Sequence, residues 1–393
     1  MDRPPLGPAE IVVDLAAIRA NARLLRATAG VPLIAVVKAD GYGHGMVESA
    51  RAAQAGGAAW LATATVGEAL ALRAAGVSGP LLCWIRGNGD GPDSDLAAAV
   101  EAGVDVSVYS DEDLDAVAAA VHGRSEASEP ARIQIKVDTG LSRGGAPRAA
   151  WDDLFAWARQ GEKAGLWRVT GIWSHFACAD EPDHPANHRQ EQAFRDALAL
   201  AGEHGLRPEL RHLANSAAAL LRPSSRFDAV RCGIALYGLD PAPGQATDIG
   251  LVPAMTVRAP LLMVKELAPG DAVSYGHRWV AEQPTTVGLV PVGYGDGIPR
   301  HATRPGAPDA AATVAIDGKR RPIRGTVCMD QVVVDLGGDR PPLGSEVVVF
   351  GPPGAGGPTA QDWAEACGTI NYEIVTRIGG RMTRRHVDSE AER

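Results

Sequence analysis

Lys38 ends the almost uniformly apolar stretch PLIAVVK. An amine placed there leaves water, and burial lowers a lysine pKa and frees the nitrogen for attack on a carbonyl. Other reactive side chains close or follow apolar runs in the same way. Lys136 and Arg143 stand around RIQIKVDTG, and His175 ends WRVTGIWSHF. Asn215 and Ser216 follow LRHL, while Arg231, Gly233 and Ile234 lie on or after DAVRCGIALYG. A hydroxyl and backbone amides at the last two places suit a phosphate group. A solvated lysine at a strand end is commonplace; a lysine able to form an imine beside a phosphate cup is what pyridoxal phosphate requires.

These residues need elements that bring them together from far apart in the chain. Eight apolar runs occur at 31–40, 60–66, 79–85, 104–110, 132–140, 167–176, 210–216 and 228–238. Each of the first seven is followed by a stretch able to form a helix. One of these opens with Ser110 as N-cap and acids in its first turn, the pattern of a solvated helix start. Eight buried-type strands alternating with helices predict an α/β fold, a (β/α)8 TIM-type barrel whose reactive groups gather at the C-terminal strand ends. The rival, an open doubly wound sheet, normally carries GxGxxG at its first turn, and GYGHG is not that pattern. From about residue 245 the runs are separated by Gly, Pro and Asp-Gly turns, which predicts a mainly antiparallel β domain. The expected domains are 10–242 and 243–393, with residues 1–9 able to pack with the second and the first dozen residues able to belong with either half.

The composition narrows the class. The chain has 393 residues, a formal charge of −9 and no long basic stretch, which argues against a nucleic-acid partner. Its 46 glycines and 28 prolines fall between apolar runs as loop punctuation, so a coiled coil, a collagen-like chain and a long disordered tail are excluded. No segment has the length and apolarity of a membrane span or a signal peptide, and the five scattered cysteines read as reduced thiols. The expected location is the cytoplasm, with no membrane partner.

AVVKADGYGHG (35–45) resembles the cofactor-attachment motif of the alanine racemases. The likeness continues in order through KVDTGLSRGG, SHFACADE, HLANSAA, RCGIALYG, PAMTV, VSYGHRW, GYGDGIPR, GTVCMDQ and INYEI. It implies pyridoxal phosphate on Lys38 and interconversion of L- and D-alanine, the latter a building block of peptidoglycan. Racemisation needs proton donors on both faces of Cα, because one base returns the proton to the face it left. The resemblance assigns one face to Lys38 and the other to Tyr275. Tyrosine titrates near 10, so Tyr275 needs a cationic neighbourhood, which the family supplies through His175 hydrogen-bonded to an arginine.

By the same likeness Arg231 meets the pyridine nitrogen; a guanidinium keeps its proton, which weakens the ring as an electron sink and favours reprotonation over transamination. Tyr42, Ser216, Gly233, Ile234 and Tyr372 match the phosphate-holding set, and Asn215 sits beside them. Arg143 matches a residue contacting the cofactor's phenolic oxygen and the substrate carboxylate. Met329, Asp330 and Tyr294, with Tyr275, match a wall contributed by the second subunit of a homodimer. Lys136 aligns with a lysine that is carbamylated in many members. Two departures stand out: Cys232 where proline is common, and the variant GLSRGG around Arg143.

Rival readings are a serine or broader-specificity racemase of the same fold, a non-catalytic pyridoxal phosphate carrier, and a related decarboxylase. The carrier would lack the β domain and the opposing tyrosine, and the decarboxylase would carry a cysteine–aspartate arrangement in place of VSYGHRW and CMDQ. His184 and His188, with Asp180 and Asp183 nearby, have the spacing of metal ligands. No further ligand cluster joins them, and the expectation is a helix-surface pair and no metal.

Overall fold

The computed structural model describes residues 9–85, 95–122, 129–245, 249–303, 311–354 and 356–389. The placement expected for residues 1–8, and part of the expected domain border at 246–248, lie outside the described residues. The first strand is β1 (Glu10–Asp14). The next eight strands, β2 (Leu33–Val36), β3 (Trp60–Thr65), β4 (Leu81–Ile85), β5 (Asp105–Val108), β6 (Ala131–Lys136), β7 (Trp167–Trp173), β8 (Leu210–His212) and β9 (Val230–Cys232), coincide with the eight apolar runs. They form a parallel sheet in the order β8-β7-β6-β5-β4-β3-β2-β9. Its two ends meet through Asp228 N donating to Arg211 O (3.0 Å) and Arg231 N donating to Ala214 O (2.9 Å), so the barrel is nearly closed.

The sequence makes this form locally. LIAV of β2 is buried throughout, as a strand covered on both faces must be. Helices follow each of the first seven barrel strands, and polar caps begin several of them. Thr65 and Glu68 form a capping box on Val66–Ala74. Ser110 accepts from Asp113 N at 3.2 Å to start Asp111–Val121. Asp113 itself is buried and accepts from Tyr109 N, so that acidic residue belongs to the cap rather than to solvent.

The rest of the chain supplies β10 (Met255–Pro260), β11 (Met263–Leu267), β12 (Ala272–Val273), β13 (Trp279–Val280), β14 (Thr285–Val290), β15 (Thr313–Ile316), β16 (Lys319–Arg324), β17 (Val332–Gly337), β18 (Glu346–Phe350) and β19 (Thr383–Val387). Nine strands make one sheet in the order β11-β14-β17-β16-β15-β18-β10-β1-β19, and β12 pairs with β13. Apart from β1 with β19, its pairings are antiparallel.

One expectation is corrected here. The expected border gave residues from 10 onward to the barrel, whereas β1 lies inside the second sheet between β10 and β19. The reason is its pattern: EIVVD alternates half-buried and buried positions, which suits a sheet covered on one face and not a barrel strand. Among the described residues no helix is long and apolar enough to cross a membrane.

Candidate active site

Lys38 leaves β2 into a turn of unusual handedness. Ala39 (φ 52°), Asp40 (φ 53°), Gly41 (φ 63°) and Tyr42 (φ 53°) are all left-handed, a conformation costing roughly 1–2 kcal/mol for each L-residue. Neighbouring elements impose it. Ala39 N donates to Glu68 Oε1 (2.7 Å), Asp40 Oδ1 accepts from Met46 N (2.9 Å), and Arg384 pairs with Asp40 (2.6 Å). At Gly43 (φ 81°) a Cβ would stand 2.4 Å from Val375 O, so helix Asn371–Arg377 of the second domain presses on the turn. The Lys38 amine lies 5.5 Å from the Trp84 ring centroid and 5.9 Å from that of Tyr42. Burial, then the Arg143 cation, lowers its pKa, Glu68 opposes this, and Arg231 adds to the lowering.

Arg231 is buried at the end of the barrel interior, its guanidinium 4.6 Å from the Trp173 ring centroid. Nη1 donates to His212 Nδ1 (2.9 Å) and His212 O (3.3 Å), and Nη2 donates to Ser174 O and His175 Nδ1 (both 2.9 Å). Guanidinium has five N–H donors, so these four bonds leave Nε–H without an acceptor among the described residues. Burial brings Arg231 down to about 9, still a cation at neutral pH. Burial, with Arg231 next, holds both His175 and His212 well below the ordinary histidine range. Since arginine only donates, Nδ1 of each imidazole is the acceptor, and a neutral His175 carries its proton on Nε2.

The cup after the last two barrel strands is built on Ser216. Its Oγ accepts from Gly233 N (3.0 Å) and Ala235 N (3.5 Å). Asn215 Oδ1 caps helix Ser216–Leu221 through Ala218 N, and Ile234 opens a short 3-10 turn. A Cβ on Gly233 would lie 2.2 Å from Tyr42 Oη, so glycine leaves that hydroxyl room over the backbone. Tyr42 packs 5.1 Å from Tyr237 and 6.4 Å from Tyr372, and burial keeps the Tyr42 and Tyr372 hydroxyls protonated. Cys232 is buried, its thiol pushed up to about 12 by burial, and adds no charge.

Lys136 is buried with its amine 4.7 Å from the Trp173 ring centroid, and burial, Arg231 and Arg143 lower it to about 8. Arg143 follows on an exposed loop, ordered by Asp138 Oδ1 accepting from Gly140, Leu141 and Ser142 N. Gly144 brings the loop close enough that a Cβ there would be 3.3 Å from Lys136 Nζ.

Tyr275, Tyr294, Met329 and Asp330 form a separate group on the β domain. Thr326 donates to Tyr275 O (2.8 Å), Tyr294 N donates to Cys328 O (3.0 Å), and Gly295 N donates to Met329 O (2.9 Å). Tyr275 is 72% exposed and Met329 54%, and none of the bonds of Tyr275 reaches the barrel mouth. Within one chain, therefore, the predicted residues fall into two clusters.

Sequence reasoning passed over His212, Gln134, Trp84, Trp173, His44 and Tyr237, which support the mouth from within. Their signal was weak: apart from His44, which lies in GYGHG, each is a single polar or aromatic residue in a largely apolar run. His184, weighed above as a metal ligand, caps helix Pro185–Glu203 by accepting from Ala186 N at 3.2 Å. Among the described residues no three His, Cys, Asp or Glu side chains converge as a metal site.

Fold and mouth together define a class: a (β/α)8 barrel joined to a β domain, with a desolvated lysine amine, a cup built on a serine hydroxyl and an arginine with one donor unpaired among the described residues. Residues 13–241 match the alanine racemase N-terminal domain model, and residues 254–386 match the alanine racemase C-terminal domain model. The alanine racemase of Streptomyces coelicolor is 53% identical over 96% of this chain and 95% of its own length. That of Thermobifida fusca is 52% identical, covering 96% of this chain and 97% of its own. The crystal structure of alanine racemase from D-cycloserine-producing Streptomyces lavendulae superposes with a TM-score of 0.92 at 49% identity, covering 98% of each chain. The chain belongs to the alanine racemase family.

Proposed function

We propose that this chain interconverts L- and D-alanine with pyridoxal phosphate held at the barrel mouth, acts in the cytoplasm as a homodimer, and supplies D-alanine for peptidoglycan. The observation that carries the cofactor reading is Arg231, whose four committed donors leave Nε–H to meet a ring nitrogen. The Gly233 cradle under Tyr42 fits a phosphate for the same kind of reason: it keeps backbone and hydroxyl close with nothing between. When bound, pyridoxal phosphate supplies the electron sink that acidifies the alanine Cα–H.

The chain's own groups do the rest. Lys38 Nζ would hold the cofactor and move the proton at one face of Cα; the lowering of its pKa by burial favours the neutral, proton-accepting amine. The hydroxyls of Tyr42, Ser216 and Tyr372 and the backbone at Gly233 and Ile234 would hold the phosphate, with Asn215 fixing the helix start beneath it. Arg143 would take the substrate carboxylate, and a carbamylated Lys136 would orient it; lowering to about 8 raises the share of neutral amine, the form that reacts with carbon dioxide.

Tyr275 Oη would serve the other face, from the second subunit. The 72% exposure of Tyr275, beside Tyr294, Met329 and Asp330, supports a partner mouth as its place of work. His175, with Nδ1 accepting from Arg231, keeps its proton on Nε2, and that Nε2–H would steady the oxygen of Tyr275. Tyr372 and Tyr294 would narrow the entrance and favour a small side chain.

The test is a panel of L-amino acids given to the purified protein, reading D-isomer, carbon dioxide and the absorbance of lysine-linked cofactor in wild type and Lys38→Ala. Alanine should be turned over fastest, with both racemisation and the linked absorbance lost in Lys38→Ala. Faster turnover of serine, release of carbon dioxide, or binding without turnover would each sink the reading in favour of a rival.

A further inference from the structure

We infer that Asp105 and Gln134 are positioning residues for the arginine at the cofactor ring: a one-directional line of hydrogen bonds through the barrel interior sets the tautomer of His212 and with it the direction Arg231 faces. The inference rests on the assignment of Arg231 made above.

The line starts at a carboxylate with no exposed surface. Asp105, on β5, accepts from Arg132 Nε (2.6 Å), from Gln134 Nε2 (3.1 Å) and from the Thr170 hydroxyl. A carboxylate only accepts, so the nitrogen end of the Gln134 amide must face it and Oε1 must face away. Oε1 lies 2.7 Å from His212 Nε2, and an amide oxygen also only accepts, so the His212 proton sits on Nε2. That leaves the Nδ1 lone pair for Arg231 Nη1–H at 2.9 Å. With the opposite tautomer, two N–H groups would face each other across that distance. Every bond therefore points the same way, from Arg231 through His212 and Gln134 to Asp105.

Two further features support this line. Gly171 lies in the interior of β7, where glycine weakens a strand, and its φ is not left-handed. A Cβ there would meet Gln134 Oε1 at 2.7 Å, so the glycine makes room for the amide. The Trp173 ring lies parallel to His212 (4°, centroids 5.8 Å apart) and under the Arg231 guanidinium, holding both planes. Asp105, Gln134, His212 and Arg231 sit on β5, β6, β8 and β9, so the line crosses the barrel interior.

The experiment reads imidazole nitrogens by long-range proton–nitrogen spectra of histidine-labelled protein, with and without pyridoxal phosphate, His212 being assigned by its loss in His212→Gln. Wild type should show one His212 tautomer, Nε2 protonated, already without cofactor. In Asp105→Asn the Gln134 amide is free to invert, so both tautomers should appear. The ratio of transamination to racemisation should then rise about tenfold as the Arg231 donor loses its bearing. Asp105→Asn/Gln134→Glu puts an acceptor-only group back against His212 and should restore the single tautomer and most of the original ratio. If Asp105→Asn does not fold, Gln134→Met keeps the volume, removes the acceptor and should disturb the tautomer in the same way. A single unchanged tautomer in these variants overturns the inference, as does a changed tautomer with an unchanged side-reaction ratio. Failure of wild type to racemise alanine would instead sink the assigned activity, leaving the tautomer result without cofactor as it stood.

Discussion

Replacing Gly233 with alanine puts a methyl group where Tyr42 already stands. The new Cβ would lie 2.2 Å from Tyr42 Oη, 2.7 Å from Cζ and 3.3 Å from Cε2, whereas ordinary contact begins at 3.4 Å. Tyr42 must retreat by about 1 Å, and it cannot do so freely, since it is only 8% exposed and packed between Tyr237 and Tyr372. Overpacking of this kind costs about 1–3 kcal/mol. Much of that cost falls on the cup, because the displaced hydroxyl belongs to the group proposed to hold the phosphate. Pyridoxal phosphate affinity should therefore fall roughly 5- to 100-fold, with a modest loss of melting temperature. The assay is absorbance titration of cofactor-free protein, with Tyr42→Phe and the double variant completing a cycle. Tyr42→Phe alone should weaken binding, yet in the Gly233→Ala background it should cost less or even help, because the nearest clash recedes from 2.2 to 2.7 Å. Unaltered affinity in Gly233→Ala, or strict additivity, would refute the reasoning.

Mixing inactive Lys38→Ala and Tyr275→Ala chains under conditions of subunit exchange should recover on the order of a quarter of wild-type activity, since about half the dimers would be mixed and each would carry one intact site. No recovery with exchange confirmed would place Tyr275 outside the partner's mouth. The neutral buried histidines make the fold acid-sensitive: His44 is lowered to about 4 by burial, and His175 and His212 lie well below their ordinary value. Above pH ~6.5 these groups are neutral in both states; as pH falls below it the unfolded chain binds protons the fold resists, so stability declines between about 6.5 and 4, by about 3 kcal/mol from His44 alone. Denaturant unfolding across that range checks this, and a flat profile would count against it. Ala39→Gly relieves a left-handed alanine at an exposed position; relief of about 1–2 kcal/mol less a glycine entropy cost of about 0.5–1 predicts a net gain of up to about 1.5 kcal/mol in the same measurement.

The parts of this protein readable from the chain alone are those set by local pattern. Runs apolar enough for burial on both faces, alternating with helical stretches, dictate a barrel, and each of its eight strands falls on one of those runs to within a residue. Position at a run's end marked Lys38, His175 and Ser216, because a polar group that closes a buried strand must come out at the mouth, and a cation inside the apolar run 228–238 marked Arg231. Position could not reveal direction. Which of Arg231's donors are committed depends on His212, Ser174 and His175, brought beside it by barrel closure from 19, 57 and 56 residues away. Likewise the left-handed turn after Lys38 is imposed by Glu68, Arg384 and Val375. A sequence of mostly L-residues gives no hint of it, since by propensity each would refuse that conformation. The membership of β1 in the distant sheet, and the separation of Tyr275 from Lys38 within one chain, belong to the same category. They follow from hydrogen bonds and burial between segments hundreds of residues apart, which only the folded molecule brings into contact.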